Sequence, residues 1–335
     1  MMMNPFESDA FSLTSLTEAI NILPNQYGKL AEMNLFPQKS VRTRTICVEE
    51  QNGVLNLLPT QRPGGPAVFA DNVKRKMRSF TIPHIPYDDV VLPEEIQGVR
   101  AFGSESELQV MANIVAEHLQ RMRNKHAITL EHLRMGALKG NIVDADGSTL
   151  YNLYSEFEIT QKTVNFALST ASTDVKKKCL EVVRHIEDNL RGEIMSDIHC
   201  LVSPEFFDAL TSHSKVKEAY ERWQDGAALR NDMRSGFPFG GIVFEEYRGQ
   251  ATDINGVTRR FIAEGEGHCF PLGTAQSFVT YFAPADFNET VNTLGLPLYA
   301  KQEARKFDRG IEIHTQSNPL PLCLRPAVLV KVTAS

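Results

Sequence analysis

The sequence predicts a mixed α+β protein in which one long helix and one long two-stranded projection accompany a compact body. Three observations support this prediction. Apolar side chains recur at helical spacing over residues 104–139. Residues 39–83 are rich in β-branched residues and contain Gly/Pro turn signals. The strand-like stretches of the second half follow one another without regular βαβ alternation or an internal repeat, which disfavours a parallel α/β fold.

The composition is that of a globular protein large enough for two or three compact units. Of the 335 residues, 42% are hydrophobic and 23% are charged. The formal net charge of −6 argues against a protein whose main task is to grip nucleic acid, because such proteins carry a basic excess. The N-terminus lacks the basic and apolar regions of a signal peptide, and no apolar run of about 18 residues predicts a membrane span.

The cysteines indicate free thiols rather than a disulfide framework. They are five in number, widely and irregularly spaced, and they form no C-x-x-C pair. We expect most of them to be buried as small apolar residues in a reducing compartment. They are Cys47, Cys179, Cys200, Cys269 and Cys323.

Residues 1–38 predict an extended arm with short helical pieces. One helix is expected to end before Pro24 and another before Pro37, because the residue before a proline disfavours helical geometry. No dense core pattern accompanies either helix.

Residues 39–83 predict a long two-stranded projection with few apolar residues for packing on its own subunit. Asn52-Gly53 is a hairpin signal, and Gly64-Gly65 lies at a Gly/Pro-rich tip. An isolated hairpin is marginal in water, so the projection must lie on something.

Both limbs of the projection carry basic side chains. Such a run is usually a solvated strand face, but here the body is acidic, so another copy of the chain is an electrostatic partner. Nucleic acid is the competing partner, weakened by the lack of interleaved aromatic residues for base stacking. The basic residues expected at this contact are Arg42, Arg44, Lys74, Arg75, Lys76 and Arg78.

The long helix predicted over residues 104–139 begins at a capping box of Ser104 and Glu107. A break near Asn124 is an open alternative to one continuous helix. Gly136 and Gly140 lie where a C-cap belongs. The apolar face of the first part comprises Leu108, Met111, Val115, Leu119 and Met122.

The second half alternates further helices and strands. Asp146-Gly147 predicts a hairpin turn, residues 173–191 a helix closed by Gly192, and Ser203-Pro204 the start of another helix. Two strands are predicted near the C-terminus, connected by the segment NPLPLCLRP. We interpret the Gly-rich stretch GEGHCFPLG as a turn between strands, because it lacks the glycine spacing of a dinucleotide fingerprint.

No pattern of residues predicts catalysis or metal binding. His199-Cys200 and His268-Cys269 are neighbours in strand-like stretches, where adjacent side chains point to opposite faces and chelate poorly. A zinc site that combines the two pairs is a remote alternative.

The other titratable residues favour ordinary structural roles. The histidines of the long helix lack i, i+4 ligand spacing and favour a polar or half-buried face. The acidic pairs favour solvated surface over general acid–base chemistry. The histidines are His118, His126 and His132, and the pairs are Asp88-Asp89, Glu94-Glu95 and Glu245-Glu246.

Several stretches, read in order, resemble the lambda-like phage major capsid protein E family. RSFTIPHIPYDDVVLPEEIQGVRAFG follows the projection, and LKGNIVDADGSTLYNLYSEFEI follows the long helix. The third and fourth stretches are GEGHCFPLGTAQSFVTYFAPADFNETVNTLGLPLYAKQE and TQSNPLPLCLRPAVLVKV. The resemblance covers residues 40–333, and the first 38 residues match least.

The resemblance implies the capsid fold of tailed phages, the Hong Kong 97-type fold. It implies an N-terminal arm at 1–38, an extended loop at 39–83 that reaches across a neighbour, a peripheral domain of 84–154 plus 301–335 around the spine helix of 104–139, and an axial domain at 155–300.

The resemblance also implies the function. Copies would assemble in the host bacterial cytoplasm into hexamers and pentamers of an icosahedral shell that encloses double-stranded DNA without sequence-specific binding. Scaffold, portal and, in some members, a decoration protein would be partners. No cofactor, metal, catalytic residue or membrane is implied. Two rival functions stay open on sequence alone: a cargo-enclosing bacterial compartment shell of the same fold, and an α+β enzyme with an unrecognised site.

Overall fold

The structure is a computed structural model that describes residues 13–22, 28–51, 75–97, 107–221, 234–253 and 256–335. The helices are α1 (Leu13–Ile22), α2 (Lys29–Glu32), α3 (Pro93–Gln97), α4 (Glu107–Lys139), α5 (Leu153–Glu156), α6 (Val175–Asn189), α7 (Pro204–Ser212) and α8 (Ser214–Glu221). None of these described helices has the length and apolar character needed to cross a bilayer.

The strands follow in chain order. They are β1 (Gln38–Ser40), β2 (Thr45–Gln51), β3 (Arg75–Thr81), β4 (Ile85–Val91), β5 (Asn141–Val143), β6 (Thr149–Asn152), β7 (Lys162–Asn165), β8 (Asp197–Val202), β9 (Phe237–Phe239), β10 (Ile242–Glu246), β11 (Gln250–Thr252), β12 (Thr258–Arg260), β13 (Glu266–Leu272), β14 (Phe278–Phe282), β15 (Tyr299–Ala304), β16 (Ile311–Ser317), β17 (Pro319–Cys323) and β18 (Val330–Thr333). Short 3₁₀ helices lie at Asn288–Thr290, Lys306–Asp308 and Pro326–Val328.

The chain divides into two compact units, each assembled from three stretches. Unit 1 takes its described residues from Met1–Ile46, Thr81–Arg134 and Val279–Pro321. Unit 2 takes them from Cys47–Phe80, Met135–Phe278 and Leu322–Ser335. The units are grouped differently from the expected domains over residues 135–154 and 279–300, and also over residues 322–335, which belong to unit 2. Their strand β18 pairs with β13 and β7 in the main sheet of that unit.

Unit 1 contains an antiparallel sheet in the order β15-β16-β4. Side chains of α1, α4 and this sheet share one buried core. It contains Leu16, Ile20, Val91, Val115, Leu119, Met122, Leu298, Ala300, Ile311 and Ile313.

The arm helix α1 is part of this core, although the sequence showed no dense core pattern there. Leu16 and Ile20 lie one turn apart and are 3% and 0% exposed. Two polar side chains of α1 also satisfy backbone groups of the segment that leads into edge strand β15. The Thr17 hydroxyl accepts from the Ala300 N–H at 3.2 Å, and the Asn21 amide donates to the Leu298 carbonyl at 2.9 Å. A polar helix face can thus pack on a sheet edge, and periodicity of apolar residues does not reveal it.

Unit 2 is built on a six-stranded mixed sheet in the order β7-β18-β13-β8-β10-β9. Helix α6 contacts β7 and β13, and α7 contacts β10. The predicted cap of α7 is present, because the Ser203 hydroxyl accepts from the Phe206 N–H. Helix α6 has a cap that was not predicted, in which the Asp174 carboxylate accepts from the Lys177 N–H. Pro204 occupies the start of α7.

The interpretation of GEGHCFPLG as a turn is wrong. It contains β13, which lies inside the main sheet of unit 2 and is buried along most of its length. A Cβ atom added at Gly267 would lie 2.5 Å from a Val202 methyl group and 2.9 Å from a Val332 methyl group. The glycine therefore permits close packing beside β13. Sequence statistics alone do not distinguish a glycine in this role from a glycine in a turn.

The expected connection NPLPLCLRP is also a strand in part. It contains β17, all of whose residues are buried. The prolines at 319 and 321 disfavour a central strand because they lack an N–H group. Strand β17 accommodates them because it lies at the end of the order β1-β14-β17.

Helix α4 is continuous from Glu107 to Lys139, so the break near Asn124 does not occur. At a rise of about 1.5 Å per residue, the helix is roughly 50 Å long. Gly140 ends it with a φ of 77°, as predicted. Gly136 instead lies within the helix, where an added Cβ would be 2.9 Å from the Asn141 carbonyl oxygen. Its role is close packing against β5, not capping.

Candidate functional site

The base of the projection is the described part of the predicted assembly surface. We define the projection foot as residues 41–47 and 77–82. Strands β2 and β3 pair with each other, and within the described ranges neither pairs with a further strand. Predicted residues Asn52, Gly53, Gly64, Gly65 and Lys74 lie outside the described part of the chain, as do the side chains of Arg75 and Lys76.

The portion of the foot that belongs to unit 2 is anchored by aromatic packing. Phe80 is fully buried, with its ring centroid 5.2 Å from that of Tyr151 and 6.4 Å from that of Phe157. The Arg78 guanidinium lies 4.8 Å from the centroid of the Phe157 ring, and its Nε donates to the Glu156 carbonyl. Phe80 thus packs β3 against β6, and Arg78 holds β3 to the end of α5 within the same subunit.

The portion that belongs to unit 1 is held by its backbone. The Ile82 N–H donates to the Arg44 carbonyl at 2.7 Å, and the Gly295 N–H donates to the Val41 carbonyl at 3.0 Å. The side chains of Arg42 and Arg44 are exposed, and no carboxylate within the described residues forms an ion pair with either. Two fixed, solvated cations thus project from this surface.

Exposed apolar residues lie in the segment that bonds to Val41. Val291, Leu294 and Leu296 are 63%, 54% and 43% exposed. Gly295 brings this segment close to the sheet, since an added Cβ would lie 2.2 Å from the Phe282 carbonyl oxygen. We call Arg42, Arg44 and these three apolar residues the foot patch. Sequence reasoning missed its apolar part, and the available signal was three large apolar residues without strand or helix periodicity.

The described residues of the predicted spine-helix face lie in the core of unit 1. Val115, Leu119 and Met122 are 3%, 3% and 0% exposed. The side chains of Leu108 and Met111 lie outside the described set. The capping box of Ser104 and Glu107 likewise depends on residues that the structure does not describe.

The hairpin turn predicted at Asp146-Gly147 connects β5 and β6. Gly147 has a φ of 89°, and the Asp146 carboxylate accepts from the Ser148 N–H at 2.8 Å. The hydroxyl and backbone N–H of Ser148 lower the pKa of this carboxyl group. The turn is thus stabilised by local hydrogen bonds.

One carboxylate from each of two acidic pairs of unit 1, Asp89 and Glu95, is bonded to a histidine. The His118 ring is only 4% exposed and lies between two carboxylates. Its Nδ1 is 2.7 Å from Asp89, and its Nε2 is 2.9 Å from Glu95. Hydrogen bonds from the Leu92 N–H and from His118 lower the pKa of Glu95. Both ring nitrogens are thus bonded to carboxylates, and this cluster links β4, α3 and α4.

The His/Cys pairs of unit 2 lie together in the main sheet. Cys200 of β8 is directly opposite Cys269 of β13. Burial raises the pKa of the Cys200 thiol, so it stays protonated and unreactive. His199 bonds to Glu245 at 2.8 Å. Burial, with the nearby charges of Lys139 and Lys331, lowers the pKa of His268 to about 3.

These side chains are interior packing residues, and the searched, described residues contain no group of three or more that is arranged to hold a metal ion. The surface features of the foot patch are therefore the better candidate for function than any buried cluster of titratable groups.

Comparison with known proteins identifies what the chain is similar to. A family model described as phage major capsid protein E matches residues 12–334. The major capsid protein of Pseudomonas phage KPP10 is 32% identical, with 99% of each chain covered. The major capsid protein of Salmonella phage Felix O1 is 31% identical, again with 99% of each covered.

Solved structures show the same fold at low sequence identity. The putative capsid protein of a prophage of E. coli CFT073 superimposes with a TM-score of 0.63 at 15% identity, covering 97% of this chain and 99% of that one. A subunit of the mature capsid of bacteriophage PhiM1 gives a TM-score of 0.56 at 14% identity, covering 94% and 88%. The predicted Hong Kong 97-type fold is confirmed by these similarities.

Proposed function

The chain belongs to the phage major capsid protein E family, and from that premise we propose that its copies form the hexamers and pentamers of a closed icosahedral head. It is the major capsid protein of a tailed phage, a structural component of the virion built from many copies of one chain. The proposal adds the symmetry of the shell, assembly in the host cytoplasm with scaffold and portal proteins, and enclosure of double-stranded DNA without sequence-specific contacts.

We assign unit 1 to the peripheral domain and unit 2 to the axial domain. Unit 1 contains α4 through Arg134 and the sheet of β15, β16 and β4, as expected of the part with the spine helix. Unit 2 contains the larger sheet. Closed shells arise when the same weak, geometrically fixed contacts repeat around symmetry axes, so each unit needs its own contact surface.

The observation that carries the proposal is the projection foot. Its two strands pair only with each other among the described strands. A two-stranded sheet is marginally stable alone, and its free edges offer N–H and C=O groups for pairing with another chain. A neighbouring copy satisfies both needs, because it supplies a surface on which the projection lies and an edge with which it pairs.

Charge favours the same partner. Arg42 and Arg44 are exposed and face no carboxylate of their own subunit within the described residues. The chain has a formal net charge of −6, so a neighbouring copy is an acidic surface. The exposed Leu294 and Leu296 beside these arginines add apolar area that assembly removes from water.

Reversing the foot charges tests the proposal. We expect the double variant Arg42→Glu/Arg44→Glu to fold normally, because both side chains are exposed and neither forms an ion pair within the described residues. Shell assembly at low salt should fall about tenfold or more, since attraction becomes repulsion, and added salt should partly restore it by screening. Sedimentation velocity and electron microscopy measure the fraction of subunits in shells, and circular dichroism checks the fold.

A matched control reverses two exposed lysines elsewhere. Lys176→Glu/Lys177→Glu makes the same charge change in the first turn of α6, where acidic residues are favourable. This control should assemble like the parent protein. Normal assembly of the foot variant, accompanied only by weaker retention of DNA, would show that the foot arginines contact nucleic acid instead of a neighbouring copy.

A further inference from the structure

Unit 1 contains a cavity whose walls carry two arginine side chains. Its volume is about 510 Å³, and it is bordered by α1, α2, α4, the end of β14 and residues 296–298. Pockets of this volume are typical of sites for small molecules or for an inserted side chain. The wall is partly apolar, with Leu130, Phe282 and Leu298, and partly cationic, with Arg123 and Arg134.

Arg134 is a buried arginine that borders this cavity. It is 5% exposed, and its Nε makes one long contact of 3.4 Å to the Thr280 hydroxyl. Glu131, one turn earlier, lies near enough to favour the charge, but its Oε1 accepts from the Leu30 N–H. Within the described chain no carboxylate lies at ion-pair distance from Arg134. A buried guanidinium group that lacks an ion pair lowers the stability of the fold unless an anion binds to it.

Arg123 lies three turns earlier on the same helix and also borders the cavity. Its Nη1 donates to the Ile20 carbonyl, and its Nε is buried with no hydrogen-bond partner. Burial lowers the pKa of both arginines, and Glu131 partly opposes this effect at Arg134. His126 also lines the cavity, but burial lowers its pKa to about 4, so it is a neutral group bonded to Thr315.

We propose that this cavity is a binding site for a carboxylate group held by the guanidinium group of Arg134, with Arg123 adding positive charge to the same cavity wall. Arginine matches a planar carboxylate through paired N–H donors. The apolar wall favours a carboxylate attached to an apolar body, and the acidic Glu18 on the cavity wall disfavours a multiply charged phosphate. The carboxylate comes either from a free small acid or from an Asp or Glu side chain of a neighbouring copy.

Benzoate is a suitable probe because it joins a carboxylate to a compact apolar ring, and benzamide is its neutral isostere. Unassembled subunits are titrated with each compound at constant ionic strength, by calorimetry and by thermal melting. We expect saturable binding of benzoate and a rise in melting temperature, with neither from benzamide. Equal effects of the two compounds, or a stronger effect of phosphate, would overturn the proposal.

Arg134→Met removes the charge and keeps most of the side-chain volume. Benzoate binding should weaken about tenfold or more, the loss expected for a charged hydrogen-bonded pair. Without ligand, this variant should melt at the same temperature as the parent protein or higher, because an uncompensated buried charge is gone. Retention of parental benzoate affinity would contradict the assignment.

Two further variants keep the test decisive. Arg123→Met changes a half-buried residue and should also weaken benzoate binding, so it carries the test if Arg134→Met fails to fold. Arg121→Met changes an arginine of the same helix whose side chain is 65% exposed, and it should leave benzoate binding unchanged.

Assembled shells identify the source of the carboxylate. Loss of benzoate binding on assembly indicates that a neighbouring copy fills the cavity, and equal binding by shells and subunits indicates a free acid. The binding measurements use unassembled subunits, so their failure is independent of the shell proposed above.

Discussion

The two units bury different chemistry. The interior of unit 2 contains a cluster of phenylalanine rings, protonated thiols and a histidine that burial keeps neutral. The interior of unit 1 contains His118 between two carboxylates and Arg134 beside a cavity. Unit 2 is therefore stabilised largely by packing, with a bonded His199–Glu245 pair inside it, whereas unit 1 combines its apolar core with charged interior groups.

This difference matters for a shell subunit. A packed apolar interior changes little with salt or with small anions, since its free energy comes from area removed from water. An ionic interior responds to both salt and small anions, because the contribution of each charge to stability depends on the charge that it faces. We expect unit 1 to be the part of the subunit that solution conditions and neighbouring charges influence most.

The largest expected effect comes from breaking the packing of unit 2. Phe244 is fully buried, with ring centroids of Phe166 and Phe206 at 6.2 Å and 6.3 Å. Phe244→Ala should lower the free energy of unfolding by about 3–5 kcal/mol, because it removes apolar contacts and leaves a cavity. Urea unfolding followed by circular dichroism measures the loss, which should be nearly independent of salt.

Phe307→Ala is the control for this substitution. The Phe307 side chain is 77% exposed, so its removal should change stability by less than about 0.5 kcal/mol. A comparable loss in both variants, or a strong salt dependence of the Phe244→Ala loss, would break the contrast between the units.

The next effect, in unit 1, comes from removing a histidine that bonds to two carboxylates. His118→Leu leaves Asp89 and Glu95 without this ring. We expect a loss of about 2 kcal/mol, the magnitude of hydrogen bonds to charged groups, and a clear dependence on ionic strength. Urea unfolding at neutral pH, at low and at high salt, measures it.

A second His–Asp pair of unit 1 provides the comparison. His314 bonds to Asp88, but the two side chains are 30% and 55% exposed, against 5% for His118. Exposed ion pairs contribute little, so His314→Gln should cost less than about 1 kcal/mol. Equal losses from the two substitutions would mean that burial does not strengthen the His118 link.

Local sequence signals predicted the helices and strands better than they predicted how these elements pack against the rest of the chain. The continuous helix α4 follows from the spacing of Val115, Leu119 and Met122, and α7 follows from Ser203-Pro204. Each signal acts within a few residues of the structure that it produces. The prediction of β13 failed because glycine serves turns and close strand packing alike. Only neighbours distant in sequence, Val202 and Val332, decide between them.

The candidate site was predictable to a smaller extent. Arg42 and Arg44 were named from charge alone, but their exposure depends on the backbone bonds of Val41 and of Arg44. Arg134 carried no signal, because a single arginine in a helical stretch is ordinary until Thr280 and the cavity are placed beside it. Sites formed by residues far apart in sequence need the fold before they are visible.

The smallest effect at neutral pH comes from His268, and it grows as the solution is acidified. Burial lowers the pKa of His268 to about 3 in the folded state, against about 6.5 in an unfolded chain. Above pH 6.5 the ring is neutral in both states and contributes no pH dependence. As the pH falls below this value, only the unfolded chain takes up the proton, so folding loses stability, by about 2 kcal/mol at pH 5. His268→Leu should remove this loss, which unfolding curves at pH 7 and pH 5 measure, whereas the exposed His84→Gln should leave it unchanged.

An unaltered pH slope in His268→Leu would mean that the ring is hydrated or charged in the folded protein. Unit 2 would then share the ionic character of unit 1, and the contrast between their interiors would fail.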